Sequence, residues 1–319
     1  MNTLLIVLGL LALVLLALAL FTHRTARRIE SYLPARGRFV DVPGARLHVR
    51  EAGSGPAVLL VHGLGGQSAH FDYGVFESLA KEHRVIAVDR PGSGHSTRDA
   101  TTAADVSTQA AALSALIDQL ELGRPTVAGH SLGGAIALTL ALEHPEKVGA
   151  LALVAPLTHL QDTAPEAFRA LAIERPWVRR LFAWTLATPA SIAASKKVLG
   201  AVFGPEAAPR DFAVKGGGLL SLRPRQFLAS SADMQALPGR MPAVQARYCE
   251  LRVPTGVLYG REDAILDWRK NGQALADKVT GARLQLVDGG HMLPVTQPQA
   301  TAEFIAECAR LAAPLQVVS

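Results

Sequence analysis

The stretch Thr126-Val127-Ala128-Gly129-His130-Ser131-Leu132-Gly133-Gly134-Ala135 decides the fold of this 319-residue chain. It predicts a short apolar strand, a sharp Gly-x-Ser-x-Gly turn and the start of a helix. Such a turn presses the serine against neighbouring backbone, and Gly129 and Gly133 supply the small residues that this crowding requires. The following helix directs its N-terminal N–H groups toward Ser131, where they suit a developing oxyanion. Ser131 is therefore a candidate nucleophile.

Because a Gly-x-Ser-x-Gly pentapeptide occurs by chance in about one chain in ten of this length, the flanking sequence must support it. Apolar runs alternate there with helical patterns, which predicts a doubly wound α/β fold with a mostly parallel sheet covered on both faces. The predicted strands are 39–42, 46–51, 57–61, 84–88, 125–128, 148–154, 253–259 and 283–287, the first two forming a hairpin. The predicted helices are one ending at Lys81, then 103–120, 131–143, 267–278 and 299–311.

The alternation is interrupted at residues 157–251, which contain eight prolines between segments rich in Leu and Ala. This composition predicts a cap of several short helices inserted in the sheet domain, with Gly216-Gly217-Gly218 as its hinge. The cap carries 12 Lys and Arg against 7 Asp and Glu, which accounts for the whole net charge of +5. This excess is compatible with attraction to anionic lipid head groups or with an ordinary solvated surface.

The N-terminus contains an uncharged aliphatic run at residues 4–21, which as a helix would be about 27 Å long and could cross a bilayer. A cleaved signal peptide is the alternative, but no Lys or Arg precedes the run. Basic residues follow the run, which predicts a single-pass protein of the inner membrane with a cytoplasmic catalytic domain. A periplasmic catalytic domain is the alternative. The expected domains are an anchor (1–22), a juxtamembrane segment (23–37), a sheet domain in two parts (38–156 and 252–319) and the cap (157–251).

Overall composition limits the classes of function. Hydrophobic residues make up 49% of the chain and charged ones 18%, which excludes a disordered protein. Cys249 and Cys308 form neither a CxxC motif nor a metal-binding cluster, so we expect no disulfide, metal or organic cofactor. The basic residues are not interleaved with aromatic ones, which argues against nucleic-acid binding. The oligomeric state stays open.

A serine nucleophile needs a base and a carboxylate that orients the base. Asp263 and His291 follow two predicted strands and are the candidates, in the chain order Ser, Asp, His that such a sheet produces. Glu262 and Asp267 compete for the acidic role, although we expect Asp267 to cap the next helix. His62, His95 and His130 are predicted to hold loops in place rather than to react.

The second requirement is a pair of oxyanion donors. The sequence His62-Gly63-Leu64-Gly65-Gly66 follows an apolar strand, and its glycines allow a sharp turn that directs the Leu64 N–H into the site. We pair this donor with the Leu132 N–H at the start of the helix after Ser131. The loss of one such donor typically costs about 3 kcal/mol of transition-state stabilisation.

The chain resembles the α/β-hydrolase fold family through five motifs: HGLGG (62–66), DRPGSGHS (89–96), GHSLGG (129–134), GREDAI (260–265) and GGHMLP (289–294). The resemblance covers residues 38–311, with the cap matching only in position and helical character. It implies a serine esterase or lipase, since related epoxide hydrolases and haloalkane dehalogenases would place Asp at position 131. With its N-terminal helix, the chain is also similar to membrane-anchored monoacylglycerol lipases and bacterial phospholipases A.

Together these features predict a carboxylic ester hydrolase that acts on lipid esters such as a monoacylglycerol, lysophospholipid or phospholipid. Six apolar cap residues either shape an acyl pocket or pack the core; they are Leu171, Trp177, Leu181, Phe182, Trp184 and Leu186. The alternatives are another reaction on the same scaffold (C–C bond hydrolase, acyltransferase or cofactor-free haloperoxidase) and a non-catalytic membrane scaffold.

Overall fold

A sheet of nine strands lies at the centre of the computed structural model, which describes residues 2–312 except 162 and 164. The strands are β1 (Arg38–Val42), β2 (Ala45–Ala52), β3 (Ala57–Val61), β4 (Arg84–Val88), β5 (Thr97–Arg98), β6 (Thr126–His130), β7 (Ala150–Val154), β8 (Thr255–Gly260) and β9 (Arg283–Val287). The helices are α1 (Asn2–Tyr32), α2 (Val75–Leu79), α3 (Val106–Gln119), α4 (Leu132–Glu143), α5 (Pro176–Trp184), α6 (Ala187–Phe203), α7 (Pro224–Ala246), α8 (Ala274–Ala276), α9 (Leu293–Thr296) and α10 (Pro298–Leu311).

The sheet is mostly parallel, as the alternating sequence pattern predicts. Its order is β1-β2-β4-β3-β6-β7-β8-β9, with β5 paired to β2. The pairs from β4 across to β9 are all parallel, whereas β1–β2, β2–β4 and β2–β5 are antiparallel. The α/β-hydrolase fold class is confirmed, with the predicted hairpin β1–β2 at one edge.

The helices cover both faces of the sheet because successive side chains of a strand point to opposite sides. On β3, Leu59 and Val61 join the core beneath α3 and α4, whereas Val58 and Leu60 join the core beneath α2 and α10. All four side chains are fully buried, which explains why β3 appears in the sequence as an unbroken apolar run.

The parallel strands bring distant loops to one edge of the sheet. The loops that follow β3, β6, β8 and β9 leave the carboxyl ends of these strands. Since parallel strands end on the same side, the candidate residues at 64, 131, 263 and 291 all belong to this edge.

Between β7 and β8 the chain forms the helices α5, α6 and α7, together with short 3-10 turns. The expectation of only short, proline-separated helices is wrong for α7, which is 23 residues long and contains Pro238 and Pro242. Proline weakens a helix by removing one N–H donor and crowding the previous turn, yet α7 is buried along part of its length, and tertiary packing stabilises it. Gly217 of the predicted hinge adopts a left-handed conformation (φ 69°).

The N-terminal helix α1 runs through the boundary expected between an anchor and a juxtamembrane segment. By length and composition, residues 3–32 are long and apolar enough to cross a membrane. Beyond the apolar run, Thr22, Ala26 and Ile29 are buried, and α1 contacts α5 and α6. The second part of this helix is therefore part of the folded domain.

Two other predicted helices are shorter than expected. The helix ending at Lys81 is a 3-10 turn (Ser68–Phe71) followed by the five residues of α2. The helix predicted at 267–278 is a π-helical turn (Arg269–Gln273) continued by α8. In the π turn the buried Asn271 reaches residue 158, where its side-chain oxygen accepts from the Thr158 N–H at 3.0 Å. This contact favours a locally widened helix over a regular one.

Candidate active site

Ser131 lies on a strained turn between β6 and α4. Its φ of 54° and ψ of −120° are unusual for a residue that is not glycine, and such a conformation costs about 1–3 kcal/mol. The backbone on both sides holds it there: the Ser131 N–H donates to Val154 O at 3.0 Å, and Ser131 O accepts from the Leu157 N–H at 2.9 Å. The hydroxyl makes no capping bond to α4, so the alternative role of a helix N-cap has no support from the geometry.

Three glycines surround the turn because no side chain fits beside it. A Cβ atom at Gly129 would lie 2.4 Å from Gly133 O, and one at Gly133 would lie 2.2 Å from Val61 O. A Cβ at Gly63 would lie 2.9 Å from the Ser131 Cβ. The loop after β3 is thus pressed directly against the serine.

His291 and Asp263 form a buried pair. His291 Nδ1 lies 2.8 Å from Asp263 Oδ2, and the two side chains are almost completely inaccessible. The other carboxylate oxygen, Oδ1, accepts from the N–H groups of Ile265 and Leu266 at 2.8 and 2.9 Å. These bonds fix the carboxylate, and the carboxylate in turn orients the imidazole.

The two competing acids have other partners. Glu262 Oε2 accepts from the Gly289 N–H at 2.6 Å and so ties the loop after β8 to the loop after β9. Asp267 Oδ1 accepts from the Arg269 N–H at 2.8 Å, at the start of the helical turn, as expected for a cap. Asp263 is the member of this acidic group that contacts His291.

His130 connects the serine turn to the histidine loop. Its Nε2 lies 2.9 Å from the carbonyl oxygen of His291, so Nε2 carries the proton and donates it. Burial lowers the pKa of His130 well below its ordinary value, and the ring stays neutral. The His130 and His291 ring centroids are 5.0 Å apart, although Ser131 Oγ and His291 Nε2 form no hydrogen bond in this structure. Such bonds are often formed only with substrate bound.

The peptide between Gly63 and Leu64 has a fixed direction. Gly63 O accepts from His62 Nδ1 at 2.8 Å and from Arg90 Nη2 at 3.0 Å, while His62 Nε2 accepts from the Arg90 N–H. Since the carbonyl and N–H of a trans peptide point in opposite directions, the Leu64 N–H points away from Arg90. The N–H groups of Leu64 and Leu132 have no hydrogen-bond acceptor in the part of the chain that is described.

A buried carboxylate holds the adjacent turn. Asp89 accepts from the N–H groups of Ser68 and His95 at 2.7 and 2.8 Å and pairs with His48 Nδ1 at 2.8 Å. Burial alone would raise the pKa of Asp89, but the hydrogen bond and charge of His48 hold it well below the usual range. His95 thus stabilises the turn through its backbone N–H, while its ring packs edge-on against His48.

An ion-pair network that the sequence does not predict joins the cap to this region. Asp233 on α7 accepts from Arg90 Nη1 at 2.8 Å and from Arg98 Nη1 at 2.6 Å. Asp233 and Arg90 are completely buried. A single aspartate within a helical segment carries no sequence signal of such a pairing, because the arginines lie more than 130 residues away.

Ser131 opens onto an apolar cavity of about 200 Å³ between the sheet and the cap. The walls include Leu64, Leu132, Leu157, Phe168, Leu237 and Ile265. None of the six cap residues expected to shape a pocket lines it. Four of the six are exposed instead: Trp177, Leu181, Trp184 and Leu186. For these four, the expectation that they shape an acyl pocket and the alternative that they pack the core are both wrong. Only one face of α5 can pack on α7, as Phe182 does against Phe227, and the opposite face remains uncovered.

The described residues contain no group of three or more His, Cys, Asp or Glu side chains placed to hold a metal ion. Cys249 is exposed and Cys308 is buried, and both are free thiols. Burial raises the pKa of Cys308 to about 12, so this thiol is not a nucleophile at neutral pH.

The chain matches the family model of the alpha/beta hydrolase fold over residues 56–298. It is 29% identical over 286 residues to an uncharacterised protein of Mycobacterium tuberculosis, covering 85% of this chain and 80% of that protein. An alpha/beta hydrolase fold protein from Burkholderia ambifaria is similar in structure, with a TM-score of 0.73, 23% identity and coverage of 85% and 97%. A membrane phospholipase A gives a TM-score of 0.68 at 24% identity, covering 97% of this chain and 96% of its own. Since the family match spans most of the chain, the protein belongs to the alpha/beta hydrolase fold family.

Proposed function

We propose that the protein is a serine hydrolase that cleaves carboxylic esters. Ser131 attacks the ester carbonyl while His291 Nε2 takes its proton, and Asp263 stabilises the resulting imidazolium. The N–H groups of Leu64 and Leu132 bind the oxyanion, and water then hydrolyses the acyl-enzyme. The observation that carries the proposal is the buried His291–Asp263 pair, connected through His130 to the strained turn that holds Ser131.

We further propose a lipid ester as substrate. The cavity at Ser131 is apolar, which suits an acyl chain better than a polar group. The N-terminal helix would keep the catalytic domain at a membrane, where monoacylglycerols, lysophospholipids and phospholipids are present. The similarity to the membrane phospholipase A extends over 97% of this chain, so it includes most of the N-terminal helix. That similarity concerns the fold, and the substrate rests on the cavity and the helix.

The test uses full-length protein in detergent with a short-chain ester and a panel of glycerolipids and phospholipids. Ser131→Ala should abolish turnover of every ester and labelling by a fluorophosphonate probe. The matched control is Ser195→Ala, whose exposed hydroxyl bonds only to Ile192 O in the described structure. Retention of most activity by the Ser131 variant would refute the assignment.

The same panel separates the other reactions possible on this scaffold. Turnover of a vinylogous diketone in preference to every ester would identify a C–C bond hydrolase, and bromination with peroxide would identify a haloperoxidase. Transfer of the acyl group to an added alcohol in preference to water would identify an acyltransferase. Absence of probe labelling in the folded wild-type protein would favour a non-catalytic scaffold.

A further inference from the structure

The cap carries an apolar face that no part of the described protein covers. Trp177, Leu181 and Trp184 are 65%, 48% and 41% exposed, and Leu186 and Ile192 are 46% and 44% exposed. The first three lie at positions i, i+4 and i+7 of α5, which places them on one side of this helix. The buried side of α5 contains Ala183 and is turned toward α7.

This face lies beside the N-terminal helix. Thr22 Oγ1 donates to Thr185 O at 3.3 Å, so Trp184 and Leu186 flank the residue that contacts the helix. Thr22 directly follows the apolar run at residues 4–21. The cap face and the end of the run are therefore at the same height along α1.

Three residues of the apolar run are less exposed than their neighbours. Leu15, Leu18 and Ala19 are partly covered, whereas most other residues of the run are exposed. These three positions continue the side of α1 on which Thr22 and Ala26 are buried. Leu15 precedes Thr22 by seven residues, or about 10 Å of helix. A bilayer that surrounds the run must then also meet the part of the cap beside Thr22.

The charges near this face suit the head-group region. Arg180 is exposed on the same side of α5 as Trp177 and Trp184, and Arg175 precedes the helix. On α1, the exposed Arg24, Arg27 and Arg28 follow the apolar run. Tryptophan concentrates at membrane interfaces, and arginine extends its charge to the head groups while its stem stays in the apolar layer.

We propose that the face formed by Trp177, Leu181, Trp184, Leu186 and Ile192, here called the cap face, inserts into the interfacial layer of the bilayer next to α1. The bilayer is the occupant because the cap face is continuous with the helix that would cross it. The inference rests on the membrane attachment in the proposed function. It adds that the cap is held on the lipid surface in one orientation rather than tethered above it.

The chain contains its own spectroscopic control, since its three tryptophans are Trp177, Trp184 and Trp268. Trp268 lies after β8, where Arg269 covers its ring. Trp268→Phe leaves only the two tryptophans of the cap face, and Trp177→Phe/Trp184→Phe leaves only Trp268. Both full-length variants are placed in nanodiscs whose phosphatidylcholine is brominated at carbons 6 and 7 of one acyl chain. We expect strong quenching of emission in the first variant and little in the second. Equally weak quenching in both would overturn the proposal, and a cross-link between copies at position 184 would then identify a second copy as the occupant.

A second measurement separates docking from catalysis. Trp177→Gln/Leu181→Gln/Trp184→Gln should hydrolyse lipid esters in vesicles about tenfold more slowly, as ~1.4 kcal/mol of lost docking free energy gives. Turnover of a short soluble ester should be unchanged, because these side chains do not line the cavity. Equal loss on both substrates would contradict docking. Quenching without any ester hydrolysis by the wild type would retain docking and reject the proposed function. The intact mass of the protein purified from cells shows whether residues 1–21 have been cleaved off. Their loss would identify a signal peptide and would reject the membrane attachment itself.

Discussion

At the scale of single residues, the turn at Ser131 depends on backbone that approaches too closely for any side chain. Gly133 packs against the end of β3, and an added Cβ would lie 2.2 Å from Val61 O and 2.7 Å from His62 O. These contacts are with backbone, which cannot move away as the end of a flexible side chain could. The serine turn and the oxyanion loop are thus held by the same contact.

Gly133→Ala should therefore destabilise the protein and remove esterase activity together. The matched control is Gly200→Ala on α6, where an added Cβ has no neighbour within 4 Å. This control should raise the free energy of unfolding by up to about 1 kcal/mol, since alanine is the better helix former. Thermal unfolding in detergent and turnover of a soluble ester measure both variants. Normal stability of the Gly133 variant would show that the loop after β3 can move away.

His70 gives the protein a dependence on acid. Burial lowers its pKa to about 4, with Asp89 acting weakly in the opposite direction, whereas the unfolded chain has the ordinary value of about 6.5. Between these values the unfolded state binds a proton that the folded state does not. The free energy of unfolding therefore falls as the pH falls from 6.5 to 4, by about 3 kcal/mol for this group.

His70→Phe should weaken this acid sensitivity. Phenylalanine keeps a ring against Phe212, whose centroid is 5.5 Å from that of His70, and it cannot be protonated. The difference in Tm between pH 7 and pH 4.5 should be smaller in the variant than in the wild type. An unchanged difference would assign the acid sensitivity to other histidines whose pKa values burial lowers, among them His62, His95 and His130.

At the scale of elements, the buried ion pairs of Asp233 hold α7 against the sheet domain. Arg90 also donates to His62 O and Gly63 O, so the cap helix and the oxyanion loop share one guanidinium. Removing one partner of a buried pair leaves an uncompensated charge. The position of the oxyanion loop thus depends on a residue of the cap.

Asp233→Asn should lower the free energy of unfolding by about 3–5 kcal/mol, or on the order of 10 °C in Tm. It should also lower kcat for a soluble ester, because Arg90 then orients Gly63 O less firmly. Lys197→Ala is the control, since it breaks an ion pair with Glu166 in which both side chains are mainly exposed. We expect no measurable change there. Equal Tm values for the two variants would contradict a structural role for Asp233.

Elements with a strong local pattern could be predicted from the sequence, and those that depend on distant contacts could not. The strands at 57–61, 84–88 and 283–287 have the predicted bounds because the first two are mainly aliphatic and β-branched runs and the third alternates polar and apolar residues. The pairing of His291 with Asp263 follows from chain order on a parallel sheet. The exposure of Trp177 could not be predicted, because a helix with apolar residues on several sides does not reveal which side packs. The pairing of Asp233 with Arg90 had no local signal at all.

At the scale of the whole molecule, α1 has two parts with different surroundings. The run at 4–21 is largely exposed, while Thr22, Ala26 and Ile29 pack on the cap. Glu30 lies 3.6 Å from the Arg223 guanidinium, which is almost completely buried. Burial lowers the pKa of Arg223 to about 10, and Glu30 partly offsets this. Only the first part of α1 is left largely uncovered by the described protein.

Two truncations should therefore behave differently. Removal of residues 1–21 should release the protein from membranes and leave Tm nearly unchanged, because the buried residues of α1, which are Thr22, Ala26 and Ile29, are all retained. Removal of residues 1–34 uncovers the cap surface beneath Ala26 and Ile29 and leaves Arg223 without its acidic neighbour. Burial of aliphatic side chains contributes about 25 cal/mol per Å², so we expect Tm to fall by several degrees in the longer truncation alone. Turnover of a soluble ester should persist in the shorter form, since Ser131, Asp263 and His291 lie on loops of the sheet domain, whereas α1 packs on the cap. If both truncations unfolded at the same temperature, the packing of α1 on the cap would contribute nothing to stability, and α1 would be an anchor only.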